Sequence, residues 1–441
     1  MARHKEFNFR TPLVKMFSEK MIMDTARETG AVVRARKISI VDLFWTLVLG
    51  FGAGKVRTIS GLRRMYEQSS GTKVEESSFY NRFNSGLVKL LKKLTAQAIA
   101  DLPGIGRPLR GRLSAFSDLI LTDSTIMKLH DSLENHFPGV RTNHSPASLK
   151  VHMVMSVTGN GKSSIKLTPG NRHDGPVFTV GKWVQNKLLM FDLGYYRFQL
   201  FSCIRRNAGF FISRLKSFSD LEIIANNTPC RGRSVELVGQ NVQTVAASLK
   251  RKTFDVTVQA DVRKRRYGGH IRKAVQQFRV VGVRNDHDKC YHIFITNVPQ
   301  ETLSAEEVAK TYAARWEIEL LFKELKSNYR MDNLPSKKRH AVEALVYAAI
   351  LTLIVSRRII EELRTQRKIA NERLPRLRWA VLFESVATIL LMIMIRPPAQ
   401  TRTLVTLTSS MLIHEAVDPN LSRSGLVNRV ENGTHEYERR I

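Results

Sequence analysis

What the 441-residue chain lacks narrows its class before any motif is read. It has three cysteines, Cys203, Cys230 and Cys290, scattered and without CxxC or Cys/His spacing. That pattern argues against a disulfide-stapled fold or a structural zinc site and suits a reducing compartment. An apolar leader is also missing: MARHKEFNFRTPLVK is charged from the outset, so a cytosolic protein is expected. The best apolar runs, Ala341–Val355 and Trp379–Ile395, the latter interrupted by Glu384, fall short of the roughly 20 residues a bilayer crossing needs. Both are expected to be buried core helices. Negative charge is the scarcest item: 39 Asp and Glu stand against 70 Lys and Arg, a formal charge of +31. With 43% hydrophobic and 25% charged residues the composition is that of a folded protein, so the surplus sits on structured surface and calls for a polyanion. Nucleic acid leads and an anionic membrane surface competes.

The length accommodates one to three domains. Residues 1–110 read as helical, with apolar residues at helical spacing through Ile38–Gly52, Ile59–Tyr66 and Val88–Ile105. A turn at 69–72 and a cap at Ser77-Ser78 before Phe79, Tyr80, Arg82 and Phe83 are compatible with a helix-turn-helix or a plain bundle. If this region meets DNA, Arg63, Arg64, Asn81 and Arg82 are the exposed candidates. From Leu113 the period changes to two. Strands are expected at Leu119–Asp123, Lys150–Thr158 and Ser163–Thr168, with a turn at 159–161. A helix over Val177–Asn186, a strand over Lys187–Asp192, a helix over Phe198–Arg206 and a strand over Phe210–Arg214 follow. That order predicts an α/β layer with one mixed sheet over 111–217.

Residues 218–300 break the alternation. Ser234–Val238, Thr253–Val262, Phe278–Val283 and Tyr291–Val298 are strand-like, with basic connections at 250–252 and 263–266, and read as a β-rich insertion. Ser304-Ala305-Glu306-Glu307 spells a capping box and opens a helix expected to run to about Tyr329, completing the core over 301–335. Apolar helices occupy 336–400 until Arg396-Pro397-Pro398, and 401–441 reads as a polar tail.

On that helix Tyr312, Arg315, Glu319 and Lys326 share one stripe, because a helix returns to the same face every three or four residues. Alone, the stripe is explained by a solvated face with an Arg315/Glu319 pair. Its companions change that reading. Asp123 and Asp192 each end an expected strand, where catalytic groups converge in α/β sheets, and Glu319 adds a third carboxylate. Singly, each Asp is a cap or turn residue. Together, two Asp and one Glu can hold two Mg²⁺ about 4 Å apart, at the attacking and leaving oxygens of a phosphoryl transfer.

These residues resemble a bacterial DDE transposase of the insertion-sequence group marked by Tyr-x2-Arg-x3-Glu-x6-Lys, the insertion sequence family four type. Tyr312, Arg315, Glu319 and Lys326 fit that spacing, Thr122-Asp123-Ser124-Thr125 resembles its first block, and Asp192-Leu193-Gly194-Tyr195 its Asp-x-Gly-Tyr block. The resemblance implies an α/β fold: a ribonuclease H-like core, a mixed sheet with flanking helices, interrupted by the β-rich insertion between helical terminal regions. It implies Asp123, Asp192 and Glu319 as the catalytic, metal-binding triad for two Mg²⁺, with Mn²⁺ able to substitute. Tyr312, Arg315 and Lys326 would contact phosphates, Trp316 would stack on a displaced base or sit in the core, and Arg197 would add a phosphate contact. The implied activity is binding of terminal inverted repeats, cleavage by water at the element's ends and joining of the freed 3′-hydroxyl to target. The implied partner is double-stranded DNA gripped by a homodimer, in the bacterial cytoplasm at the nucleoid.

Other readings remain. A catalytically inactive or domesticated DNA-binding derivative has the same charge; a tyrosine recombinase would need an Arg/His-x-x-Arg/Tyr arrangement, and the nearest spelling, His270-x-x-Lys273, lies in a basic loop. Near the triad, Asp118 is expected on the opposite strand face from Asp123. Asp174, in Asn171-Arg172-His173-Asp174-Gly175, reads as a turn or substrate contact. Glu317 is a neighbouring acid, and His144, His152 and His173 read as ordinary strand and loop histidines.

Overall fold

Apolar residues occupy both parities of the central strands, which buries the sheet on both faces. In β1 (Asp118–Lys128), Leu119 and Leu121 join one core and Ile120 the other; in β4 (Lys187–Phe191), Leu188 and Met190 join the first, Leu189 and Phe191 the second. The computed structural model describes residues 9–34, 37–100, 109–140, 145–159, 163–217, 219–228, 236–267, 270–285, 289–369, 374 and 376–417. The Asn-Gly part of the turn at 159–161, His144, Cys230 and the stretch from 418 onward lie outside the described residues.

β2 (Ser148–Ser156) and β3 (Ser164–Pro169) continue β1 as an antiparallel meander, while β4 and then β5 (Phe210–Arg214) run parallel to β1 on its other side. The later strands are β6 (Glu222–Asn226), β7 (Thr253–Tyr267), β8 (His270–Arg284) and β9 (Tyr291–Thr296). β9 pairs with β5 through Ile212 and Thr296, so the strands read as an insertion extend the same sheet, in the order β3-β2-β1-β4-β5-β9-β8-β7-β6. β6 was not anticipated, and the described part of the expected strand Ser234–Val238 is not extended into the sheet.

The helices are α1 (Arg10–Met16), α2 (Glu19–Glu28), α3 (Ile40–Thr46), α4 (Ile59–Ser70), α5 (Glu76–Tyr80), α6 (Ser85–Ala100), α7 (Asp174–Val177), α8 (Phe198–Arg206) and α9 (Val242–Ser248). Then come α10 (Ala305–Ala313), α11 (Trp316–Ser327), α12 (Arg339–Arg367), α13 (Arg376–Ile395) and α14 (Pro398–Glu415). α12, the expected apolar helix, packs against α1, α6 and the π-helical turn Leu47–Gly52 that follows α3. Gly52 is required there: a Cβ would lie 1.7 Å from Thr352 Oγ1, which donates to Val48 O at 2.6 Å.

Four expectations need correction. The helix expected over Val177–Asn186 is only the single turn α7 and a 3-10 turn at Lys182–Val184; Asn186 takes φ +57°, and Phe178 is extended to pack on Phe191 and Tyr195. α5 begins at Glu76, with Glu75 in the N-cap position and no side-chain cap bond, so Ser77 and Ser78 lie inside this short helix and do not cap it. Residues 398–415, assigned to the end of the core and the head of a tail, form α14, because Pro397-Pro398 places proline at a helix start where its missing N–H costs nothing. Within α13, Arg378–Ile395 is long and apolar enough to cross a membrane by length and composition, but Phe383, Val386, Ala387, Leu390 and Leu391 are buried in the helical core.

Candidate active site

Strand register assembles the first two acids. β1 pairs in parallel with β4 from Asp118–Lys187 to Thr122–Phe191, so the next residues, Asp123 and Asp192, emerge side by side where β4 ends. β1 does not stop at Asp123 as expected; it runs on to Lys128 against β2. Asp123 shares parity with Leu119 and Leu121, on the face covered by α11, which packs on β1 and brings Glu319.

The helix expected to be continuous from 304 to 329 is two. After the capping box at Ser304 and Glu307, α10 ends at Ala313, and Ala314, Arg315, Glu317 and Ile318 bond to carbonyls three residues back before α11 continues. The break leaves Arg315 and Glu319 on one face. Arg315 Nη2 donates to Glu319 Oε1, and Nη1 lies 3.9 Å from Asp123 Oδ2. Burial pushes the Asp123 carboxyl up from 3.8 to about 6; the Ser124 N–H and Arg315 pull it down, and Asp192 and Glu319 push it up. The three acids therefore feel one another, with a guanidinium among them. Arg315 Nε and Nη1 are buried without hydrogen-bond partners, which asks for an anionic oxygen.

The other stripe residues dock this helix pair on the sheet. Tyr312 donates its hydroxyl to Phe191 O at 3.1 Å, one residue before Asp192, and burial pushes its phenol up to about 12. Lys326 Nζ donates to Ile126 O of β1 at 3.0 Å. Trp316 is half-buried at the start of α11. Arg197 is exposed and donates to Gly175 O at 3.1 Å. In the amino-terminal helices, Arg63 pairs with Glu67, Arg64 is exposed, and Asn81 and Arg82 line a cavity of about 640 Å³ with Arg34 and Lys37.

Of the competing residues, Asp118 is fully buried on the opposite strand face as expected, accepting Ser156 Oγ–H at 2.6 Å and Thr158 N–H at 3.0 Å. Asp174 stands closer to the acids than the sequence reading allowed. Its Oδ1 accepts Ser124 Oγ–H at 2.8 Å and lies 3.3 Å from Lys150 Nζ and 3.4 Å from His152 Nδ1. Burial first, then Lys150 and Lys166, push the His152 imidazole down to about 4, though Asp174 pulls it up, so it is neutral at pH 7. The available signal was the cross-strand pair Ser124–His152, with Lys150 two residues away on the same face.

The donor set is three carboxylates without thiolate or imidazole, which fits a hard divalent cation and not zinc. Asp123, Asp192 and Glu319 would hold it. Among the described residues no three His, Cys, Asp or Glu side chains form a metal cage, and the Arg315 guanidinium lies beside both Asp123 and Glu319.

A family model described as "Transposase DDE domain" matches residues 114–355, more than half of the chain and all of this site. The chain is 22% identical over 390 residues to the transposase for insertion sequence element IS1151 of Clostridium perfringens, covering 81% of each. It is 23% identical over 383 residues to the transposase for IS231F of Bacillus thuringiensis subsp. israelensis, covering 79% of this chain and 78% of the relative. With the family model spanning more than half of it and relatives of this kind along about four fifths of its length, the chain belongs to the DDE-domain transposase family of bacterial insertion sequences.

Proposed function

We propose that the protein is an insertion-sequence transposase that binds terminal inverted repeats and carries out Mg²⁺-dependent strand cleavage and strand transfer of a cut-and-paste type. The observation that carries this reading is the parallel register that sets Asp123 beside Asp192, with Glu319 delivered to the same face by α11. The strand order β3-β2-β1-β4-β5 supports a ribonuclease H-like core.

Two Mg²⁺ held by Asp123, Asp192 and Glu319 would supply charge stabilisation at the attacking and leaving oxygens. The chain does the rest. Tyr312 and Lys326 fix the α10–α11 break to β4 and β1, so Glu319 keeps its place. Arg315, with two unsatisfied nitrogens, turns its fork to the scissile phosphate and leaves the carboxylates to the cations. Cleavage breaks the P–O3′ bond at the element end as water attacks phosphorus. The freed 3′-hydroxyl then attacks a target phosphodiester, displacing the target's own 3′-oxygen. Trp316 stacks on a base at the cut and Arg197 grips a neighbouring phosphate. Residues 1–110 bind the repeat, with Arg34, Lys37, Asn81 and Arg82 around their cavity as contacts, and a homodimer holds both ends.

The test is cleavage of a labelled duplex carrying the element's terminal repeat, with Mg²⁺, by wild type and Glu319→Ala. Wild type cuts and the variant binds without cutting. Equal cutting overturns the triad; binding without cutting by both favours an inactive DNA-binding derivative.

A further inference from the structure

Asp174 is wedged between the two segments that carry the first two acids. Its side chain is 18% exposed, and its charge is met by Lys150, which is itself fixed by donating to Arg172 O at 2.9 Å. Ser124 links it to the site twice over. The Ser124 hydroxyl donates to Asp174, and the Ser124 N–H donates to Asp123 Oδ1 at 2.8 Å. Fixing Asp174 therefore fixes the peptide that orients the Asp123 carboxylate. On its other side Asp174 abuts the second acid's turn: a Cβ on Gly194 would stand 2.8 Å from Asp174 Oδ2, so a side chain there would displace the Asp174 carboxylate. Ser124 and Asp123 project to opposite faces of β1, so Asp174 acts from behind.

We propose that Asp174 is a positioning residue of the phosphoryl-transfer site, holding Asp123 in register with the Asp192 turn through Ser124, with Lys150 as its counter-ion. This rests on the reading that Asp123 and Asp192 hold divalent metal. Ligands released from such backing lose about 10- to 100-fold in metal affinity.

The test measures Mn²⁺ uptake by electron paramagnetic resonance, using the full chain bound to a precleaved repeat end, alongside the Mn²⁺ concentration that half-saturates cleavage of an intact end. Asp174→Ala and Ser124→Ala each weaken uptake about 10- to 100-fold, and the double variant is no weaker than Asp174→Ala. Asp174→Asn, which keeps an acceptor for the Ser124 hydroxyl, recovers most of the affinity. Wild-type uptake in both single variants overturns the proposal. So does a loss in Asp174→Ala as complete as in Asp123→Asn while Ser124→Ala is normal, since Asp174 would then be a ligand itself. If Asp174→Ala does not fold, as judged by circular dichroism, Ser124→Ala decides. A wild type that neither takes up Mn²⁺ nor cuts brings down the underlying reading; uptake with indifferent variants brings down only this one.

Discussion

Asp123 and Arg315 define the site's state without metal. The Asp123 carboxyl, raised from 3.8 to about 6 chiefly by burial, keeps its proton in the folded chain over a range where the unfolded chain has released it. The sign follows: its contribution to stability is greatest below about pH 4 and is lost as pH rises through about 6. Metal-free wild type should therefore lose more melting temperature between pH 5 and 7 than Asp123→Asn does, and saturating Mn²⁺ should shrink that difference. Equal slopes in the two proteins would show that Asp123 is not the titrating group. Arg315 supplies the cation that the acids otherwise lack. Asp123, Asp192 and Glu319 repel one another once it is gone. Arg315→Ala is thus expected to melt at lower temperature than wild type in chelator and to gain more from Mn²⁺, while cutting DNA at least about 100-fold more slowly for want of the phosphate fork proposed for it. Lysine at the position should restore stability better than cutting, because it keeps charge without two-pronged geometry.

Between sheet and helices the decisive contact is a buried ion pair. Arg279 of β8 bonds Asp255 of β7 through Nε and Nη2, and its Nη1 donates to Val298 O and Leu303 O at 2.9 and 2.8 Å, just ahead of the cap of α10. Both side chains are under 10% exposed, so removing one partner strands a charge. Asp255→Ala should cost about 3–5 kcal/mol in urea unfolding, whereas replacing both residues with apolar ones should cost far less. A small loss for the single change would show that water reaches the pair. The same elements mark what the sequence made legible. β4, β5 and α8 were readable because their periodicity is local and their ends are set by Asn207, Gly209 and the acid after Phe191. The break between α10 and α11 was not. Ala313 and Ala314 are good helix formers, and nothing local marks the break; the contacts at it, Tyr312 on Phe191 O and Arg315 among the acids, are tertiary. β6 and α9, short and at the sheet's edge, carry little pattern. Asp123, Asp192 and Glu319 stood out through spacing, but Asp174 joins them through tertiary contacts, its bond to Ser124 50 residues away in sequence and its approach to Gly194.

The charge of +31 belongs to the whole molecule, and its effect should be visible without any reaction. Arg279, Arg357 and Arg315 are paired in buried settings, whereas Arg64 and Lys250 are exposed and Lys37 lines an open cavity. A surface like that binds duplex of any sequence by releasing counterions, so affinity falls linearly with salt on logarithmic axes. If six to ten phosphates are engaged, random-sequence duplex should bind about 10³- to 10⁵-fold more weakly at 200 mM than at 50 mM salt, measurable by fluorescence anisotropy. Reversing one cavity cation, Lys37→Glu, should reduce the slope by about one or more whatever the sequence, while Glu319→Gln should leave the slope in place and raise affinity slightly by removing a repelling charge. The amino-terminal cavity, if it contacts bases as well as phosphates, adds a second signature. Asn81→Ala, uncharged in both forms, should then weaken the terminal repeat but not random duplex, at an unchanged salt slope. Equal weakening of both duplexes would assign Asn81 to the backbone, and a salt-independent affinity for either would sever the link between the charge of this chain and DNA.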